Sequence, residues 1–366
     1  MKILFDYQAF SRNSYGGVSR YYIELYLHLL SQKVDANILA PIHRNMYLNT
    51  VSSDGVWGRY LRSYPPKTTS LILKINQLIS AFLIPKISPN VIHSTYYANH
   101  PYRIRSASKI LTVYDMIHEL IPGELSPGDR TSDLKAAAVR DADHIICISE
   151  NTKSDLIRFL DVPESKISVV YLGCDPGGLG LINTIQPFVN HKPYLLYVGN
   201  RFGYKNFKVL LQAFGALKLY KSHDLFLFGG GGLSREELSM LVNLNIPLQN
   251  IQCISGGDHL LISLYRGAEV FVYPSIHEGF GLPPLEAMNN FCPVISSSSS
   301  CMPEILGDAA LYFDPMSYED LMITLMRVIS SNEDRQNYIL KGVERASLFT
   351  WKSCGDATLE IYKRFC

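Results

Sequence analysis

An α/β fold of two Rossmann-like domains, each built on a parallel sheet, is what this sequence predicts, and three observations predict it. Short apolar runs of strand length alternate with longer amphipathic ones along most of the chain, the pattern of βαβ units. The alternation breaks over residues 173–193, where Asp175, Pro176, Gly177, Gly178 and Pro187 interrupt any periodicity, and then restarts. The length of 366 residues exceeds what a single core usually supports. Two domains, 1–175 and 190–345, follow from the break, with a closing segment at 346–366.

The elements of the first half read in order. Residues 3–5 form a strand, 17–30 a helix and 37–40 a strand. The apolar start is three residues long, which makes it a strand and not a signal peptide. Residues 71–84 are apolar, interrupted by Lys74 and Gln77, and read as a domain helix, with peripheral membrane contact as the other reading. No stretch is expected to reach the roughly 20 apolar residues of a bilayer span. The runs 91–93, 108–113 and 144–149 have the uniform apolar character of strands buried on both faces. A helix at 151–160 and a strand at 167–171 complete this half.

The second series runs strand 194–198, helix 207–219, strand 225–228, helix 234–243, strand 251–254, helix 260–267, strand 270–273, helix 284–290 and strand 293–296. The serine run 296–300 reads as a loop closing over the functional cleft. Trp351, Cys354, Thr358, Ile361, Tyr362 and Phe365 recur at helical spacing and give a last helix one buried face.

Composition narrows the class. Hydrophobic residues make up 47% and charged residues 18%, as in folded globular proteins. Lys+Arg is 34 and Asp+Glu is 33, a balance of +1 that offers no global footprint for nucleic acid. The seven cysteines are scattered and include no C-x-x-C pair. That suits reduced thiols in a cytoplasmic protein and neither a disulfide framework nor a zinc site. Cys147 and Cys253 fall in apolar runs and read as small core residues.

The densest chemistry lies in YPSIHEGFGLPPLEAM, residues 273–288, between a strand and a helix. Pro283 and Pro284 suit a first helical turn. The amides of Gly279, Phe280, Gly281 and Leu282 would then point out of a helix N-terminus toward an anion. Glu286, expected in the first turn, either offsets the helix dipole or holds a ligand. Glu278 stands at a strand's carboxyl end, where ligands of open α/β sheets bind, and a carboxylate there accepts hydrogen bonds from sugar hydroxyls. In YVGNRFGYKN, residues 197–206, Arg201 and Lys205 occupy the turn after the first strand of the second domain. A planar fork and a point charge together suit a diphosphate.

Other candidates have two readings each. Gly16 and Gly17 form the matching turn in the first half, a tight turn or a phosphate contact; neither a full G-x-G-x-x-G nor a Walker A loop is present. Tyr114 and Asp115 follow a strand, with His118 and Glu119 nearby; Asp115 either caps a helix or contacts hydroxyls. Asp141-Ala142-Asp143 precedes a buried strand and reads as a corner rather than a metal site. Gly229 opens a four-glycine run that either turns the chain or passes beneath a base or ribose.

These segments resemble glycosyltransferase family 4, retaining enzymes of the GT-B fold, in which two Rossmann-like domains face a central cleft. The resemblance rests on EGFGLPPLE (an E-x7-E pattern, Glu278 and Glu286), GNRFGYKN, GGVSRY, TVYDMIHE, ADHIICISENTKSDL and MPEILGDAALYFDP, and spans nearly the whole chain. It implies a nucleotide-sugar donor held by Arg201, Lys205, Glu278, Glu286, the 279–282 backbone, Gly17 and Gly229. It further implies an acceptor near Asp115, Tyr114 and His118, no metal or other cofactor, and a last helix returning to the N-terminal domain. Glu278, Asp115, Arg201 and Lys205 are the implied catalytic group. Many relatives carry His where this chain has Tyr114, and a neutral phenol does not supply an imidazolium's charge. The text most resembles members that build bacterial surface polysaccharides such as O-antigen from GDP-mannose or related deoxy-sugars. The expected function is hexose transfer to a glycan or lipid-linked glycan, in the cytoplasm or at the inner face of the membrane. An epimerase of the same fold and a non-catalytic nucleotide-sugar-binding subunit are the alternatives.

Overall fold

A computed structural model describes residues 1–51, 54–98, 107–124, 128–174 and 185–366. The chain forms two compact units, Met1–Gly173 with Trp351–Cys366, and Cys174–Thr350. Every strand pair in both sheets is parallel.

The first unit runs β1 (Lys2–Phe5), α1 (Gln8–Arg12), α2 (Gly17–Ser31), β2 (Asp35–His43), α3 (Met46–Thr50), β3 (Val56–Tyr60), α4 (Thr69–Ile87), β4 (Val91–Ser94), β5 (Ser108–Val113), α5 (Ile117–Leu120), α6 (Thr131–Asp141), β6 (His144–Cys147), α7 (Glu150–Leu160) and β7 (Ile167–Val169). Its sheet has the order β3-β2-β1-β4-β5-β6-β7, so the winding reverses between β1 and β4. Asp6, just past β1, is buried and ties the two together: its carboxylate accepts from Thr95 N–H at 3.0 Å and Gln8 Nε2 at 2.9 Å.

The second unit runs β8 (Tyr194–Val198), α8 (Phe207–Ala216), β9 (Asp224–Phe228), α9 (Arg235–Asn243), β10 (Ile251–Ile254), α10 (Asp258–Gly267), β11 (Val270–Tyr273), α11 (Leu282–Asn289), β12 (Val294–Ser297), α12 (Met302–Leu306), β13 (Leu311–Phe313), α13 (Tyr318–Ser330) and α14 (Asn332–Ser347). Its order, β10-β9-β8-β11-β12-β13, reverses between β8 and β11. The core gathers Leu195, Tyr197, Leu210, Phe214, Leu227 and Val272. Their near-total burial explains why these strands read as unbroken apolar runs.

The last helix, α15 (Trp351–Lys363), belongs to the first unit. It lies so close to α2 that a Cβ on Gly355 would stand 2.3 Å from the His28 ring. His28 Nε2 meets the Asp356 carboxylate at 2.9 Å, and the Tyr362 hydroxyl meets buried His93 Nδ1 at 2.5 Å.

Several expectations are corrected. The strand expected at 37–40 runs Asp35–His43, and the helix expected at 71–84 runs Thr69–Ile87. That helix, at 19 residues, is long and apolar enough to cross a membrane by length and composition, contrary to the reading that no stretch is. Cys253 is exposed, because β10 is an edge strand, whereas Cys147 is buried. Residues 175–184 of the expected linker lie outside the described residues. Residues 185–193 are folded onto the second unit: Phe188 packs on the Tyr194 and Phe226 rings, and its N–H donates to Ser263 O. Asp141 and Asp143 do form a corner, accepting from Lys109 Nζ and Lys109 N–H at 2.5 and 2.7 Å.

Candidate functional site

The strand order reverses between the neighbours β8 and β11, and the loops that follow them stand at the switch point where open α/β sheets bind ligands. One backbone bond joins these loops, Ile276 N–H to Tyr204 O at 2.8 Å. Lys205 sits on a 3-10 turn ahead of α8, and its Nζ donates to Glu278 Oε1 at 2.5 Å. The Tyr273 hydroxyl, at the end of β11, is a second hydrogen-bond partner of Glu278. Burial first, and then the Glu278 charge, push the Tyr273 hydroxyl far up from its ordinary value, so it stays a proton donor. Tyr197 is raised by the same two causes, in the same order.

Arg201 has a different setting. Its side chain is 5% exposed and its Nε donates to Glu237 Oε1 at 2.7 Å. Nη1 donates to Gly229 O at 3.1 Å, and Nη2 reaches the carbonyls of Gly230, Gly231 and Gly232, the last at 2.7 Å. The four-glycine run thus wraps its carbonyls around a guanidinium. Gly230 has φ +69, and a Cβ there would stand 2.7 Å from Arg201 Nη1, so no other residue fits. Glu237 has two duties: its other oxygen accepts from Ser234 N–H at 2.6 Å in the capping box that starts α9. The sequence reading put Arg201 on a phosphate; the structure commits most of its donors to protein. It missed Glu237, although Ser234 and Glu237 carry the S-x-x-E signature of a cap.

The serines at 296–300 correct another expectation. They do not form a loop over a cleft. Ser296 and Ser297 finish β12 and are buried. Ser297 Oγ donates to Ser275 O, Ser299 Oγ to Ile276 O at 2.7 Å and Ser300 Oγ to Glu278 O at 2.7 Å, while Glu278 N–H donates back to Ser300 Oγ at 3.2 Å. The run stitches the Glu278 loop from beneath. That loop ends at Gly279 and Phe280, both buried, the Phe280 ring meeting Phe349 edge-on at 5.7 Å. Gly281 follows in the left-handed region at φ +93, where a Cβ would meet Met302 Cε at 2.5 Å. α11 therefore starts at Leu282, earlier than expected, and Glu286 falls in its second turn. Dipole compensation in a first turn is not its role. Its Oε2 lies 3.5 Å from the hydroxyl of buried Tyr265.

In the first unit, Tyr114 and Asp115 follow β5. Tyr114 is buried, its hydroxyl 3.5 Å from Thr95 O, so it offers no polar group at the surface. Asp115 accepts from Ile117 N–H at 3.1 Å and so forms a turn ahead of α5; the helix cap expected as its alternative falls on Met116 instead. Buried Lys135 donates to Asp115 O at 2.8 Å and Glu119 Oε2 at 2.7 Å. His118 lies between two carboxylates, Nδ1 3.9 Å from Asp115 and Nε2 3.6 Å from Asp129. Hydrogen bonds from Thr131 hold the Asp129 carboxyl below its ordinary range. Lys135 and Asp129 escaped sequence reading because nothing in their local pattern distinguishes them. Gly17 is exposed and opens α2. Among the described residues, no three His, Cys, Asp or Glu side chains gather as a metal site would require.

Residues 15–177 match Glycosyltransferase Family 4, and residues 182–345 match Glycosyl transferases group 1. The chain belongs to glycosyltransferase family 4. The family 4 chain is 29% identical over 275 residues to O-antigen chain mannosyltransferase B of Escherichia coli, covering 72% of this chain and 71% of that one. It is 23% identical over 244 residues to a serotype-specific mannosyltransferase of Escherichia coli, covering 63% of this chain but only 30% of that longer protein. Among solved structures, sucrose-phosphate synthase from Thermosynechococcus elongatus superposes with a TM-score of 0.78 at 18% identity, over 100% of this chain and 99% of that one. Anabaena Alr3699/HepE in complex with UDP does so at 0.70 and 14% identity, over 100% of both chains. The fold of this glycosyltransferase is the two-domain GT-B architecture.

Proposed function

We propose that this glycosyltransferase moves a hexose, mannose or a related deoxy-sugar, from a nucleoside diphosphate to a glycan or lipid-linked glycan, with retention and without a metal. The observation that carries the reading is the Lys205–Glu278 pair at the strand-order reversal of the second unit. An incoming diphosphate replaces Glu278 as the partner of Lys205. The carboxylate, still held by Tyr273, turns to the hydroxyls of the transferred sugar. As the glycosidic bond breaks, positive charge grows on the sugar ring and negative charge on the leaving phosphate. Lys205 and the N-terminus of α11 lower the energy of that phosphate charge, the kind of term that dominates catalysis. Arg201 acts mainly by shaping the 229–232 loop and adding a fixed charge. Glu286 and Gly229 hold the nucleoside. Asp115 and His118 contact the acceptor, and Tyr114 supports them from within the fold.

The mannosyltransferase relatives favour mannose as the transferred sugar, and we propose GDP as its carrier. Testing for donor-dependent protection against heating with GDP-, UDP- and dTDP-sugars identifies the base. Glu278→Ala tests the site. Transfer should fall by about 10²–10³-fold, the loss seen when a group aimed at the transition state is removed. Binding of bare nucleoside diphosphate, followed by calorimetry, should hold or tighten, because Lys205 loses its internal competitor. Normal turnover in that variant ends the assignment.

A further inference from the structure

Helix α4 is inside out for a surface helix of a soluble domain. The line packed on the sheet carries Ile72, Asn76, Ser80 and Ile84, all buried. Asn76 and Ser80 on that line are polar. Asn76 is committed there, its Oδ1 accepting from Ile42 N–H at 2.8 Å and its Nδ2 donating to Ile42 O at 2.8 Å, where the β2–β3 register shifts. The opposite line carries Leu71, Leu78 and Phe82, which are 56%, 73% and 65% exposed. At about 100° per residue these three fall within a narrow arc of the outward face, flanked by Lys74 and Lys86. Lys86 Nζ stands 3.8 Å from the centre of the Phe82 ring.

Charge along this part of the chain is one-sided. Residues 55–114 contain no Asp or Glu. Within that stretch Arg59, Arg62, Lys67, Lys74 and Lys86 are all exposed. An apolar ridge flanked by Lys74 and Lys86 complements one kind of surface, apolar within and anionic at its face.

We propose that the outward face of α4 docks the protein on a bilayer containing anionic lipid. The helix lies along the bilayer rather than across it. Its inner line is bonded to β2, and Ile84 packs with Leu4, Leu39 and Ile92, so it cannot leave the sheet to span. Leu71, Leu78 and Phe82 enter the boundary between headgroups and acyl chains, and the lysines stay among the phosphates. The proposal is independent of the donor site in the second unit.

The test is co-sedimentation of the whole chain with vesicles of phosphatidylcholine alone, or of phosphatidylcholine mixed with phosphatidylglycerol. Binding is expected to the mixed vesicles and to weaken as salt rises. The double variant Leu78→Ser/Phe82→Ser should lose on the order of tenfold or more in vesicle affinity. Lys74→Glu should lose at least about fivefold. Neither change should lower the melting temperature or the donor-dependent protection, since these side chains are exposed and lie outside the donor site. Wild-type protein that ignores both vesicles overturns the proposal, as do serine variants that bind as the wild type does. So does a concentration-dependent dimer that Phe82→Ser disperses, since a second copy would then own the face.

Discussion

Arg201 and Lys205 stand four residues apart in one turn, yet their surroundings give them different work. Arg201 is caged by carbonyls and Glu237, whereas Lys205 donates to the Glu278 carboxylate, a partner that a ligand can displace. Arg201→Met should therefore behave as a stability variant, costing about 3 kcal/mol because it leaves the Glu237 carboxylate and the 229–232 carbonyls without their donor. Glu237→Ala should match it in a urea titration. Lys205→Ala should do the reverse, weakening diphosphate binding by calorimetry while moving the urea midpoint little. Sequence reading placed both cations correctly in the turn, since a turn after a strand is a local pattern. It could not divide their roles, because Glu237 and the carbonyls of 229–232 arrive from about 30 residues away. Tyr114 shows the same limit: its place after β5 was legible, its burial among Tyr21, Tyr97 and Thr95 was not.

At the scale of elements, the strands buried on both faces were legible because that burial leaves an unbroken apolar run, whereas the exposed edge strand β3 and the three-residue β13 were missed. The helix α4 was legible as a helix but not in its orientation, since an apolar residue reads the same whichever way it points. The serine run misled for a related reason. Serine commonly marks loops, but here the hydroxyls bond to the carbonyls of the loop after β11. Ser300→Ala removes both bonds to the Glu278 backbone. It should cost about 1 kcal/mol of stability and lower kcat about tenfold, with donor affinity nearly unchanged. A kcat equal to the wild type would mean that the loop holds its shape without the stitch.

At the scale of the whole molecule, two buried histidines set a pH dependence. Burial pushes His93 down to about 3 and His43 down to about 4, from an ordinary 6.5. Between pH 6.5 and 4 the unfolded chain binds protons that the folded chain does not. Stability is therefore full above pH 6.5 and falls as pH drops through that window, by up to about 1.4 kcal/mol per pH unit for each histidine. Urea midpoints measured at pH 7.5 and 5 should show the fall, and His93→Gln should flatten the slope. The two-unit division was legible at the break near residue 173. Sequence spacing alone did not say which unit the last helix completes; helical periodicity marks a buried face but not its partner. Its partner is α2 together with His93, and Phe365 just beyond it meets the His144 ring. This order has a consequence during synthesis. The first domain to leave the ribosome must wait for the whole of the second before its final helix arrives. Until then the groove along α2 stays open, with Tyr21, Tyr22 and His93 uncovered for chaperones to recognise. A message cut short after residue 350 would release a product with the whole of its second unit, but with a first unit that lacks its closing helix.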